Sequence, residues 1–142
     1  MEIIRHINVP QTSFFLFGPR GTGKSTFVKS LIDRETLYID FLDPETFRMY
    51  AAFPETMMKT IEAINPVQVI IDEVQKVPQI LDVVHKIMEE KKIRFIMTGS
   101  GARKLKKAGA DMLGGRALNC RTRKRTYTVV PMKEQVAYNS VL

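Results

Sequence analysis

Four short apolar runs, FFLF (14–17), LYIDFL (37–42), VQVII (67–71) and IRFIM (93–97), alternate with longer stretches in which apolar residues return every three or four positions. The runs are short and rich in β-branched and aromatic side chains, which predicts strands buried on both faces rather than helices. After the first run, KSTFVKSLI (24–32) places Phe27, Leu31 and Ile32 on one helical face. Residues 79–92 do the same with Ile80, Leu81, Val84, Ile87 and Met88, with Pro78 at the start and EEKK at the end. Residues 44–64 read as a helix broken at Pro54 and stopped by Asn65-Pro66. Strand and helix in alternation predict an α/β fold, a mainly parallel sheet with helices on both faces. Shorter strands are expected near 117–120 and at TYTVV (126–130).

The length of 142 residues fits one domain with a core of its own. A single cysteine, Cys120, excludes an internal disulfide and a cysteine metal cluster, and its place next to an expected strand with no His or acid adjoining makes it a small buried hydrophobe rather than a nucleophile. The opening MEIIRHINVPQ lacks the apolar core of a secretory signal, and no run approaches the roughly 20 apolar residues of a membrane span. The expectation is a soluble, cytoplasmic protein with no membrane partner. Charge divides the chain unevenly. Between Arg103 and Arg125 nine Lys/Arg face one acid, Asp111, whereas the remainder has 13 basic and 14 acidic residues. This predicts a core over 1–121 followed by a basic C-terminal extension over 122–142.

The chemistry is concentrated in LFGPRGTGKSTF. Gly18, Pro19, Arg20, Gly21, Thr22, Gly23, Lys24 and Ser25 match the spacing G-x-x-x-x-G-K-[ST], with Thr26 next in line and a strand before and a helix after. Glycines let successive N–H groups turn inward toward phosphate oxygens, and a helix start adds its positive dipole end. Lys24 then reaches the β and γ phosphates, and the Ser25 hydroxyl takes one position on Mg²⁺. No third glycine stands at dinucleotide-fingerprint spacing. The run VQVIIDE ends in Asp72 and Glu73, adjacent acids at a strand's C-terminal end. Asp72 is placed to hold Mg²⁺ opposite Ser25, and Glu73 to orient the attacking water.

The cradle, IIDE with VQKVP after it, FIMTGSGARKLK and LGGRA together resemble the AAA+ superfamily of P-loop ATPases over about residues 10 to 120. More narrowly they are similar to prokaryotic AAA+-type ATPases with an additional C-terminal domain. The resemblance implies a three-layer core with five strands in the order 5-1-4-3-2, ATP rather than GTP as ligand, and a γ-phosphate sensor at the tip of the fourth strand. Thr98 fits that role, with Ser100 as runner-up. It also implies a homo-oligomer supplying an arginine in trans, for which Arg116 and Arg103 are candidates. The family's helical lid does not fit in the residues after Cys120, so 122–142 is expected to be a truncated continuation or the end of a minimal core.

Hydrolysis of the β–γ phosphoanhydride of Mg-ATP is therefore the leading expectation. Two alternatives stay open: a nucleotide-binding module without significant turnover, and a nucleic-acid-binding module regulated by nucleotide. The second draws on RKLKK and RTRKR, but no aromatic side chains are interleaved to stack bases, apart from Tyr127 at the edge.

Overall fold

The first apolar run forms β1 (Phe14–Phe17), and all four of its residues are buried. The computed structural model describes residues 9–19, 21, 23–107, 113–122 and 129–131. After β1 come α1 (Lys24–Lys29), β2 (Thr36–Asp40), α2 (Pro44–Ala52), α3 (Thr56–Ile64), β3 (Gln68–Asp72), α4 (Ile80–Glu90), β4 (Arg94–Gly99), α5 (Ala102–Lys107), β5 (Leu118–Thr122) and β6 (Val129–Pro131). One six-stranded sheet has the order β2-β3-β4-β1-β5-β6. The five strands β1 to β5 pair in parallel, in the expected 5-1-4-3-2 order, and β6 joins β5 antiparallel. Of the expected strand at 126–130, residues 126–128 lie outside the described residues, and Val129 and Val130 belong to β6.

Alternation along the strands sorts side chains into two layers. Phe14, Leu16, Ile70, Ile96 and Cys120 pack under Phe27 and Val28 of α1. Phe15, Phe17, Ile39, Val69, Ile71, Phe95 and Met97 face the other way, against Tyr50 of α2, Met57 and Ile61 of α3, and Ile80, Leu81, Val84 and Ile87 of α4. Each fully buried Phe, Leu or Ile contributes about 1.5–3 kcal/mol of transfer free energy. Helices therefore cover both faces, one with α1 and the other with α2 to α4.

Local chemistry sets the element ends. Pro44 opens α2, and the Asp43 side chain caps it by accepting from Thr46 N at 3.0 Å. Those bonds hold the Asp43 carboxyl below its usual range. Asn65 closes α3 in the left-handed region at φ 55, ahead of Pro66. Two expected elements are shorter than their apolar patterns. The second strand stops at Asp40, where Leu42 N turns back onto Asp40 Oδ1 at 2.9 Å, so Phe41 and Leu42 belong to the turn. The first helix stops at Lys29, because Ser30 Oγ donates to Phe27 O and loosens the last turn.

Two ends of one sheet now face different tasks. At the N-terminal end, the Gln68 amide donates to Leu31 O and Thr36 Oγ1, and Arg94 donates to Gln68 Oε1, Thr12 O and Pro10 O. The C-terminal end carries the candidate site.

Candidate functional site

Beyond Phe17 the chain leaves β1 through Gly18, whose N–H donates to Gly99 O at 3.2 Å and pins the loop to the tip of β4. Gly21 and Gly23 take φ of 82 and 85, left-handed values that a Cβ disfavours. Gly23 is the N-cap of α1, and no side chain caps that first turn. Of the predicted cradle residues, Gly18, Pro19, Gly21, Gly23, Lys24, Ser25 and Thr26 are described here, whereas Arg20 and Thr22 lie outside the described residues.

A cleft of about 260 Å³ opens beside this loop, lined by Gly21, Gly23, Lys24, Ser25, Thr26, Leu42 and Glu73. Lys24 is only 5% exposed and its Nζ donates to Gly18 O at 2.6 Å and Pro19 O at 3.2 Å. The ammonium thus folds back on its own loop's carbonyls.

Glu73 lines the cleft and is 6% exposed, whereas Asp72, 1% exposed, is not among the lining residues. Asp72 ends β3. Its Oδ1 accepts from Thr98 Oγ1, and its Oδ2 accepts from Tyr38 OH at 2.7 Å. Thr98 is wholly buried near the end of β4, and its Oγ1 also accepts from Glu73 N at 2.9 Å. The hydroxyl of Thr98 thus ties the two acids together and does not line the cleft. The runner-up, Ser100, has a buried Oγ without a hydrogen-bond partner.

Glu73 has φ 62 and ψ 52, a left-handed conformation that costs a non-glycine residue about 1 kcal/mol or more. The turn carries the carboxylate toward the cleft, where Oε1 accepts from Gln75 Nε2 at 2.6 Å. Gln75 Oε1 is buried without a partner. It sits 2.9 Å from where a Cβ on Gly99 would stand, so the glycine at the β4 tip makes room for it.

Three residues of this site escape a reading of the sequence. Tyr38 reaches Asp72 from β2, and burial first, then the hydrogen bond and charge of Asp72, push its phenol well above the ordinary tyrosine range. Leu42, 46% exposed, supplies apolar wall, and Gln75 holds Glu73. The signal for Tyr38 was its place two residues before Asp40 on one strand face, although only the register says which neighbour it meets. The candidate arginines lie elsewhere. Arg116 pairs with Glu89 at 3.0 Å near the C-terminal end of α4, and Arg103 is exposed on α5. Cys120 is buried in β5, and burial pushes its thiol up to about 11.

The family model of an AAA domain matches residues 11–134. The chain belongs to that family. It is an AAA-type P-loop ATPase domain. No curated protein matches the chain. Among the described residues of this AAA domain, no helix is long and apolar enough to cross a membrane.

The residues present fit Mg-ATP. Left-handed glycines open the loop backbone, nothing lies within 4 Å of a Cβ built at Gly21, and one lysine stands on the loop. No group of three or more His, Cys, Asp or Glu that could hold a metal alone occurs among the described residues. One carboxylate and one hydroxyl are what Mg²⁺ takes from a protein when water and phosphate oxygens supply the rest.

Proposed function

We propose that this AAA domain binds Mg-ATP in the cleft between the glycine loop and Glu73, and hydrolyses the β–γ phosphoanhydride bond. The observation that carries the reading is the convergence of Lys24, Ser25 and Glu73 on one cleft, with Asp72, the residue before Glu73, ending the strand that leads to it. In this reading the loop from Gly18 to Thr26, with Arg20 and Thr22 among its members, wraps the phosphates and Lys24 exchanges its carbonyl partners for their oxygens. Ser25 and Asp72 would hold the magnesium ion, which would supply charge neutralisation for the phosphates. Glu73 orients the attacking water and accepts its proton. Thr98 keeps Asp72 and Glu73 in register, so it senses the γ-phosphate through the two acids it binds.

The balance of the step is simple. A water oxygen bonds to the γ-phosphorus, the bond to the bridging oxygen breaks, and the water's proton moves to the Glu73 carboxylate and then to solvent. Arg116 pairs with Glu89, Arg103 is exposed on α5 and neither lines the cleft, so an arginine contribution would come in trans from a second copy. Assignment of residues 122–142 as a basic extension, with nucleic acid as a partner not favoured over a solvated face, belongs to the same reading, as does a cytoplasmic setting.

Steady-state ATP hydrolysis and Mg-ATP binding, measured on the intact chain, Lys24→Ala and Glu73→Gln, test this. Binding lost in Lys24→Ala, with turnover lost but binding kept in Glu73→Gln, is the expected pattern. Binding without turnover in the intact chain would reduce the protein to a nucleotide-binding module, and no binding would remove the reading altogether.

A further inference from the structure

Asp72 is the carboxylate assigned to magnesium, and both of its oxygens already accept a hydroxyl hydrogen bond. β3 lies between β2 and β4, so the group is gripped from both flanks. Thr98 approaches from β4 and Tyr38 from β2. In the β2–β3 register Asp40 stands opposite Asp72, and Tyr38 stands opposite Ile70, two residues lower on the same sheet face. The phenol spans that diagonal, which is within the reach of an aromatic side chain. An aspartate carboxylate otherwise turns in a broad torsional well. With one donor on each oxygen its plane is set, and every oxygen keeps a second lone pair for another partner.

The phenol is itself held. Tyr38 packs against the layer of Phe14, Leu16 and Ile70, and Lys29 Nζ of α1 lies 5.9 Å from its ring centroid. α1 is the helix whose first turn contains Ser25, so one end of it offers the second magnesium ligand and the other end touches the Tyr38 ring.

We propose that Tyr38 is a positioning residue for magnesium: its hydroxyl fixes the plane of the Asp72 carboxylate so that the carboxylate and Ser25 meet one ion. This rests on the assignment of Asp72 as a magnesium ligand. Partners that orient a ligand in this way typically alter metal affinity by about 10–100-fold when removed. Phenylalanine at this position keeps the ring, its packing and the Lys29 contact, and removes only the donor.

The test uses the full chain, with Mn²⁺ as a spectroscopic stand-in for Mg²⁺. Metal affinity in the presence of saturating ATP is read by electron paramagnetic resonance, and metal-free ATP affinity by calorimetry. Tyr38→Phe is expected to weaken Mn²⁺ binding roughly tenfold, with metal-free ATP affinity unchanged and urea unfolding still cooperative, at a midpoint lowered by the lost bond to a buried carboxylate. In an Asp72→Asn background the same substitution is expected to add nothing. Unchanged Mn²⁺ affinity in Tyr38→Phe, alongside a loss in Asp72→Asn, would overturn the proposal and leave the magnesium assignment standing. Unchanged affinity in Asp72→Asn itself would overturn the assignment and the proposal with it. An additive loss in the double variant would also overturn it, because Tyr38 would then act on something other than Asp72.

Discussion

The two ends of the parallel sheet both bury polar side chains, and they treat them in opposite ways. At the N-terminal end Arg94 donates to three neutral oxygens, of Gln68, Thr12 and Pro10, and Gln68 uses its oxygen and its nitrogen. Burial lowers the Arg94 pKa, yet the guanidinium lies over the Phe14 ring, 5.7 Å from its centroid, and its nitrogens are matched. At the C-terminal end a carboxylate is 1% exposed, a glutamate is held at φ 62, and Gln75 Oε1 and Ser100 Oγ have no partner. The first arrangement is complete and holds strands together. The second is incomplete, strained and open to a cleft, which is the condition in which side chains have something left to bind.

The largest expected effect separates the ends by chemistry. Glu73→Gln should lower ATP turnover by about 10²–10⁴-fold, the usual contribution of a general base, with Mg-ATP affinity little changed. Parallel kinetics and calorimetry would check it, and turnover within a few-fold of the parent would remove Glu73 from its role. Next in size is the opposite end. Arg94→Met should cost about 1–2 kcal/mol, since it leaves Gln68 Oε1 and two carbonyls without their donor while keeping the apolar stem. Urea unfolding measures this, and nucleotide affinity should not follow.

A third substitution sharpens the contrast by changing its sign. Glu73→Gly relieves the left-handed strain and should raise stability by about 0.5–1 kcal/mol while abolishing turnover. A loss of stability there would mean that the bonds of Glu73 outweigh its strain. The smallest effect belongs to Gly99→Ala, whose new methyl would stand 2.9 Å from Gln75 Oε1 and push the amide off Glu73. Roughly two- to fivefold lower turnover is expected, because water in the cleft replaces most of the lost hydrogen bond to the Glu73 carboxylate, leaving about 0.5–1 kcal/mol. The unfolding midpoint should barely move, because the displaced atom is the end of a flexible side chain.

Much of this was legible in the residue order. FFLF, VQVII and IRFIM mark β1, β3 and β4 because strands buried on both faces need continuous apolar runs. Pro54 and Asn65-Pro66 separate and end α2 and α3 through backbone constraints that belong to single residues. The loop around Lys24 and the pair at Asp72 stood out by their spacing, and Lys24, Ser25 and Glu73 line one cleft. The β2 turn was less so, since Phe41 is fully buried while outside the strand, and burial alone cannot distinguish the two. Gln75 bonds Glu73 from two residues away, a local contact that no spacing announces, and Tyr38 and Arg94 were scarcely legible. Their roles depend on which strands are neighbours and in what register, and a hydrogen bond between residues 34 apart leaves no local pattern.

The central claim is that nucleotide binds at the C-terminal end and that the N-terminal network is structural. Thermal unfolding with and without saturating Mg-ATP, on the parent, Lys24→Ala and Arg94→Met, tests it most directly. A ligand at about 100 times its Kd stabilises by about 2.7 kcal/mol. The parent and Arg94→Met should therefore gain the same increment from ATP, from different starting points, and Lys24→Ala should gain none. An increment that survives Lys24→Ala, or one that disappears in a folded Arg94→Met, would contradict the account.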